Sequence, residues 1–317
     1  MSAPPYRPAD AARSPRYAGV RTFARLPLVI QPEAGVDAVV LGAPYDTAAS
    51  FRPGARFGPE AVRSGSASLR PWHPTLAVDV FGGSSTADGG DLAVIPGNPE
   101  ATAARLAEAL HGWLDAGATP VVVGGDHSIL LGELRAHAAR HGPLPLLLLD
   151  AHAEVRDEHG GERLLGGTVV RRAVEEGLVD PQRSLLTGAR GPLWAGADLE
   201  AARELGFELI TGDELRALGP GEYSQRVLTR TAGASCFLSF DIDVIDPAFA
   251  PGTGTPEVAG LLPHEALTLL RSLAGTSFVG FDLVEVCPPY DGPGQITSIL
   301  AANIVWEMLA LRVVSAA

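Results

Sequence analysis

The chain has 317 residues, 46% hydrophobic and 19% charged, with 24 Lys and Arg against 37 Asp and Glu for a formal net charge of −13. The apolar fraction is ample for a large core and excludes dominant disorder, and the length suits one large α/β domain or two small ones. The acidic balance argues against nucleic acid and anionic membrane as partners, which want a Lys/Arg surplus. The two cysteines, Cys236 and Cys287, make neither a disulfide framework nor a thiolate zinc cluster.

In chain order, residues 1–20 are rich in Pro, Arg and Ala and carry no apolar run of the kind a secretory signal needs, so they read as an N-terminal extension. Residues 21–317 read as a single domain, with no repeat, low-complexity tract or long linker. Short apolar runs at 36–41, 120–123, 144–149, 184–186, 208–210, 236–240 and 278–281 are too uniformly apolar for half-exposed strands and predict strands covered on both faces. Between them, 99–116, 128–141, 168–176, 262–273 and 295–314 have helical spacing, with Pro at the start or Gly at the end of several. This alternation predicts a doubly wound α/β fold with right-handed crossovers. The apolar runs, such as 144–149, are too short to span a bilayer, so a soluble, cytoplasmic protein is the expectation. Two loops dense in Gly and Pro, 51–59 and 247–256, are read either as turns or as the walls of a site.

Open α/β sheets bind ligands at the carboxyl ends of their strands. Three predicted strands end in metal-ligand side chains: Gly124-Gly125-Asp126-His127-Ser128, Asp150-Ala151-His152-Ala153-Glu154, and Asp241-Ile242-Asp243. Residues two apart in an extended segment share a face, which pairs Asp150 with His152 and Asp241 with Asp243. If the clusters converge, four carboxylates crowd together, and each like-charge pair at ~4 Å costs roughly 4 kcal/mol at an effective dielectric near 20. Two divalent cations relieve this, with His127 and His152 as neutral ligands; O/N ligation suits Mn2+, with Zn2+, Ni2+ or Fe2+ as alternatives. A metal pair lowers the pKa of water, so metal-assisted hydrolysis is the expected reaction class. Glu285, acidic in an apolar stretch after 278–281, is read either as a salt-bridged carboxylate or as the partner of a cationic substrate head. Asp126 is expected to orient its neighbours, Arg190 to support the site from behind, and His73 to sit in a loop lining the cleft. His111, His137, His141 and His264 are expected at the surface.

The segments GAPYD (42–46), RPGARFGPEAVR (52–63), GGDHS (124–128), DAHAE (150–154), SFDIDVIDPAFAPGTGTPE (239–257) and GFDLVEV (280–286) together resemble the ureohydrolase superfamily of arginase and agmatinase. The likeness runs from about residue 17 to the C-terminal helix, in the agmatinase-like branch near guanidinobutyrase and proclavaminate amidinohydrolase. It implies a three-layer α/β/α fold around a mostly parallel, doubly wound sheet, a dinuclear manganese centre that hydrolyses a guanidino group of a small cationic substrate to urea and an amine, and a homo-oligomer, trimer or hexamer. By position, His127, Asp150, Glu154 and Asp241 would hold one metal and Asp150, His152, Asp241 and Asp243 the other. Glu285 would lie near the guanidinium.

Two positions depart from the family pattern. The family's Asp-Ala-His-x-Asp ends here in Glu154, one methylene longer, so its carboxylate must fold back or bind differently. The family's Ser-His-Gly-Thr is matched by Leu165-Gly166-Gly167-Thr168, so Gly166 stands where a histidine contacts substrate or delivers a proton. His159, seven residues upstream, is the expected stand-in for proton delivery, and the space at Gly166 suits a bulkier substrate. Two other readings stand beside the amidinohydrolase: a hydrolase of a formimino or related amidine C–N bond, and a relative that only binds ligand.

Overall fold

The computed structural model describes residues 6–316, so the first five residues of the expected N-terminal extension, and Ala317, lie outside the described residues. In chain order the regular elements are β1 (Ala38–Ala43), α1 (Gly58–Gly65), β2 (Trp72–His73), β3 (Val78–Asp79), β4 (Thr86–Asp91), α2 (Pro99–Asp115), β5 (Thr119–Gly124), α3 (Leu130–His141) and β6 (Leu146–Leu149). They continue as α4 (Val169–Glu175), β7 (Leu185–Ala189), α5 (Ala197–Glu204), β8 (Glu208–Thr211), α6 (Gly212–Thr231), β9 (Cys236–Asp241), α7 (Pro263–Ser272), β10 (Phe278–Val284) and α8 (Ile296–Ser315).

Eight strands form one sheet in the order β4-β1-β5-β10-β9-β6-β7-β8. Its pairings are parallel throughout, with Leu283 opposite Val123 and Phe240, and Leu149 opposite Phe240. Alternation along the strands sends Val40, Val123, Leu147 and Leu238 to one face, where they pack with α1, α6, α7 and α8. Val39, Val122, Leu146 and Leu148 point to the other, against α2, α3 and α4. Burying a leucine contributes about 1.5–3 kcal/mol, and all four residues of β6 are buried. The expected three-layer α/β/α fold is therefore present, with a wholly parallel sheet.

Each of the seven expected apolar runs contains a strand, and each expected helix is present within a few residues. β4, at the sheet edge, was not expected: its sequence, Thr-Ala-Asp-Gly-Gly-Asp, is polar, and its buried Asp88 is accommodated by Arg63, whose Nε donates to it at 2.9 Å. α5 was missed because its sequence is polar, and α6 because Gly219, at φ 71°, and Pro220 kink it. α1 begins inside the 51–59 loop. One expectation about apolar runs is corrected: α8 has 20 residues and a mean hydropathy of 1.5, long and apolar enough to cross a membrane, but 72% of that stretch is buried inside the fold.

Candidate metal centre and substrate cavity

The order β5-β10-β9-β6 sets four carboxyl strand ends side by side. The turn after β5 brings His127 over the sheet. A Cβ at Gly125 would overlap the Tyr45 carbonyl, so only glycine allows this close approach. Asp126 orients the turn as expected: Oδ1 accepts from Ser128 N at 3.1 Å and Oδ2 from Ala48 N at 2.9 Å. Asp150 follows β6 directly, and Asp241 ends β9. Asp243 does not extend the strand. It sits on a 3-10 turn, Ile242–Val244, where its N–H donates to Asp241 Oδ1 at 2.8 Å. The two aspartates share a side through this capped turn rather than through strand alternation.

The side chains converge. His127 Nδ1 lies 3.1 Å from Asp150 Oδ2 and 3.2 Å from Asp241 Oδ2. His152 Nδ1 lies 3.0 Å from Asp243 Oδ2, 3.3 Å from Asp150 Oδ1 and 3.9 Å from Glu154 Oε1. Two sets of ligand atoms result, His127–Asp150–Asp241 and Asp150–His152–Glu154, each within 4.8 Å and sharing Asp150. Glu154, its backbone in the left-handed region at φ 56°, groups with His152 rather than with His127.

The donor set fits divalent cations. His127 Nδ1, Asp150 Oδ2 and Glu154 Oε2 are buried without a hydrogen-bond partner, although His127 and Asp150 lie close together. Such atoms cost about 1–3 kcal/mol each, more when charged, and cations bound in the two sets would remove that cost. Without one, charges compensate each other. Burial opposes charge on His127, but Asp150 and Asp241 raise its pKa well above the ordinary imidazole value. Burial likewise opposes charge on His152, and Asp243 and Asp150 raise it. Burial would raise Asp150, yet the two histidines hold it below the usual carboxylate range. Asp241 is pushed well up by burial and by its neighbours Asp243 and Asp150, and Glu154 is pushed up to about 7 by burial and Asp150.

Behind His127 lies a polar chain with no single sequence signature. His127 Nε2 is 2.9 Å from Ser239 Oγ, which donates to Asp282 Oδ1 at 2.7 Å; Phe240 N donates to the same oxygen at 3.2 Å. Because the Ser239 proton goes to Asp282, its lone pair accepts Nε2–H, which leaves the Nδ1 lone pair facing the cluster. Glu133, on α3, is fully buried near Asp282, and burial with the Asp282 charge pushes its pKa well up. Asp282 was visible as a second acid in the run before Glu285; Glu133 carried no such signal.

A cavity of about 680 Å³ opens over this cluster. Glu285 leaves β10 in the left-handed region at φ 63°, donates its N–H to Gly125 O at 2.8 Å, and accepts from His127 N at 2.8 Å through Oε1. Burial, then the charge of Asp126, pushes its pKa up to about 8. Gly166 lies beside it: a Cβ there would meet His127 Cβ at 3.5 Å and Glu285 Oε1 at 3.8 Å, ordinary contacts. His159 lines the same cavity, its Nδ1 3.3 Å from Arg156 NH1. Both Gly/Pro loops wall it, through Phe51 and Arg52 on one side and Gly254 and Thr255 on the other. Arg190 supports the wall by donating to the carbonyls of Asp243 at 2.7 Å and Glu257 at 2.8 Å.

Two histidine expectations are corrected. His73 does not line the cavity; it is fully buried, stacks on Trp306 and contacts Glu307 Oε2 at 2.8 Å. His137 is not at the surface: it shares a helix face with Leu130 and Leu134 and packs edge-on to Phe237. His141 and His264 are exposed and His111 is half-buried.

The family profile described as Arginase family matches residues 36–310. The chain belongs to the arginase family. It is 41% identical over 311 residues to a mitochondrial guanidino acid hydrolase of Homo sapiens, covering 97% of this chain and 87% of that one. It is 42% identical over 300 residues to proclavaminate amidinohydrolase of Streptomyces clavuligerus, covering 95% of both. The solved structure of that enzyme superposes with a TM-score of 0.89, covering 95% of this chain and all of the other at 41% identity. A mitochondrial agmatinase of Gallus gallus is 40% identical over 308 residues, covering 96% of this chain and 89% of that one. This arginase-family protein is an enzyme, a hydrolase acting on amidino C–N bonds of guanidino compounds.

Proposed function

We propose that the chain hydrolyses a small guanidino compound, in the class of agmatine or guanidinobutanoate, to urea and an amine at a two-cation centre. Mn2+ is the first choice, with Zn2+ or Ni2+ as alternatives. What carries the reading is the unpartnered trio His127 Nδ1, Asp150 Oδ2 and Glu154 Oε2, buried under the cavity that also contains Glu285. His127, Asp150 and Asp241 would hold one cation, and Asp150, His152, Asp243 and Glu154 the other. Bound there, the cations supply neutralising charge and a water molecule that ionises near neutral pH.

The chain's own groups do the rest. Glu285 receives the substrate guanidinium as a charge-assisted, planar pair. Glu154 Oε2, left without a partner, takes a proton from the attacking water. His159, which lines the cavity beside Arg156, relays protons: its ring takes the proton that Glu154 received before it gives one to the departing amine, so it passes through the imidazolium and returns to neutral. The water oxygen bonds to the guanidino carbon, the C–N bond to the substrate chain breaks, and both water protons leave with the ammonium product. Urea release from guanidino compounds with each metal tests the reading. Stoichiometric urea and amine support it; ammonia or formamide in place of urea, or no product with any metal, contradicts it.

A further inference from the structure

We propose that Arg52 and Arg156 form an anion subsite at the rim of the cavity, which receives the carboxylate tail of an ω-guanidino acid. The inference rests on the hydrolase reading and selects among its substrates. Identity cannot make that selection, because the human guanidino acid hydrolase and the chicken agmatinase are 41% and 40% identical to this chain.

The cavity has opposite signs at its two ends. Its floor is acidic, with Glu154, Asp241 and Glu285, and suits the guanidinium. Its walls carry three arginines, Arg52, Arg156 and Arg190. Arg190 is committed to backbone carbonyls, and the rim acid Glu257 lies within the reach of its charge. Asp198, the other rim acid, already accepts from Trp194 N at 3.0 Å and Ala195 N at 3.2 Å, and lies 3.7 Å from Arg156. Arg52 has no hydrogen bond or ion pair from its guanidinium among the described residues. It is held by aromatic rings instead, 5.0 Å from the centroid of Tyr290 and 5.4 Å from that of Phe51. Arg156 lies over Trp194 in the same way, at 5.4 Å.

A guanidinium stacked on an aromatic face is oriented before any ligand arrives; the N–H edge of Arg52 stays open to a carboxylate, while Arg156, with NH1 on His159 and NH2 3.7 Å from Asp198, adds its charge. An ammonium tail would meet these two cations, with Asp198 already engaged by two backbone N–H groups and Glu257 within reach of the Arg190 charge. The rim therefore favours a carboxylate over an amine, and an uncharged tail falls between them.

The experiment compares 4-guanidinobutanoate, 3-guanidinopropanoate, agmatine and butylguanidine as substrates of the Mn2+-loaded enzyme. One of the acids is expected to exceed both agmatine and butylguanidine in kcat/KM by tenfold or more. Arg52→Gln is expected to cut the acid-to-butylguanidine ratio tenfold or more, chiefly through KM, and Arg156→Gln to act in the same direction. A preference for agmatine, or a loss from Arg52→Gln that is equal for acid and butylguanidine, overturns the subsite. If no compound releases urea, the hydrolase reading fails, and calorimetric titration of the same compounds decides the subsite alone. Tighter binding of the acid that Arg52→Gln abolishes supports it; equal or undetectable binding overturns it.

Discussion

Glu285→Gln separates the function of this carboxylate from its cost to the fold. The ordinary value of the group is 4.5, and burial with the nearby Asp126 charge pushes it up to about 8. In metal-free protein, a raised acid contributes its full stability below 4.5 and loses it as pH rises through 8. At pH 7 the loss is at most roughly 3 kcal/mol, at ~1.4 kcal/mol per unit; part of the carboxylate faces the open cavity, which screens the effect. Glutamine cannot ionise, and its amide oxygen still accepts from His127 N. Metal-free Glu285→Gln is therefore expected to be more stable than the parent at pH 7 and equal to it at pH 4, in denaturant unfolding at both values. The guanidinium, however, loses its charged partner. Removing one member of a buried pair costs about 3–5 kcal/mol, so kcat/KM for urea release falls at least ~10²-fold. A variant that is less stable at pH 7 and retains kcat/KM within threefold would refute both the strain and the substrate contact.

His159→Ala is expected to lower kcat by ~10²-fold or more, the usual worth of a general acid. Gly166→His on that background restores part of the rate, since a Cβ there meets only ordinary contacts; an unchanged kcat in His159→Ala removes the residue from the mechanism. His137 is neutral in the fold, its pKa lowered to about 3 chiefly by burial. Its stability contribution is present above the ordinary 6.5 and is lost as pH falls below it, by roughly 2 kcal/mol between pH 7 and pH 5. His137→Leu, whatever its offset at pH 7, flattens that interval in unfolding titrations; an unchanged slope contradicts the assignment.

The sheet was legible because a doubly covered parallel strand leaves an unbroken apolar run, as Leu146–Leu149 does. Elements at the boundary were not: β4 is a polar edge, and α5 packs little beyond Ala202 into the core. The acid–imidazole cluster was legible because its residues follow strand ends, and a parallel sheet brings neighbouring strand ends together. What alternation could not show is the capped turn that carries Asp243, or the reach of Glu154 toward His152. His137 could have been placed by its helical spacing from Leu130 and Leu134. His73 could not, since its partner Glu307 is 234 residues away in the chain. The rim arginines also escaped, because an arginine in a Gly/Pro loop has no periodicity to reveal which way it faces.

The central claim is that this acid–imidazole cluster holds two cations that drive amidino hydrolysis. Adding Mn2+ stepwise to metal-free enzyme, while measuring bound metal and urea release together, tests it most directly. The account predicts activity that climbs to a plateau at two ions per chain, and a fall in the second equivalent in Asp241→Asn. Full urea release from metal-free protein, or a chain that retains no divalent ion at all, would contradict it.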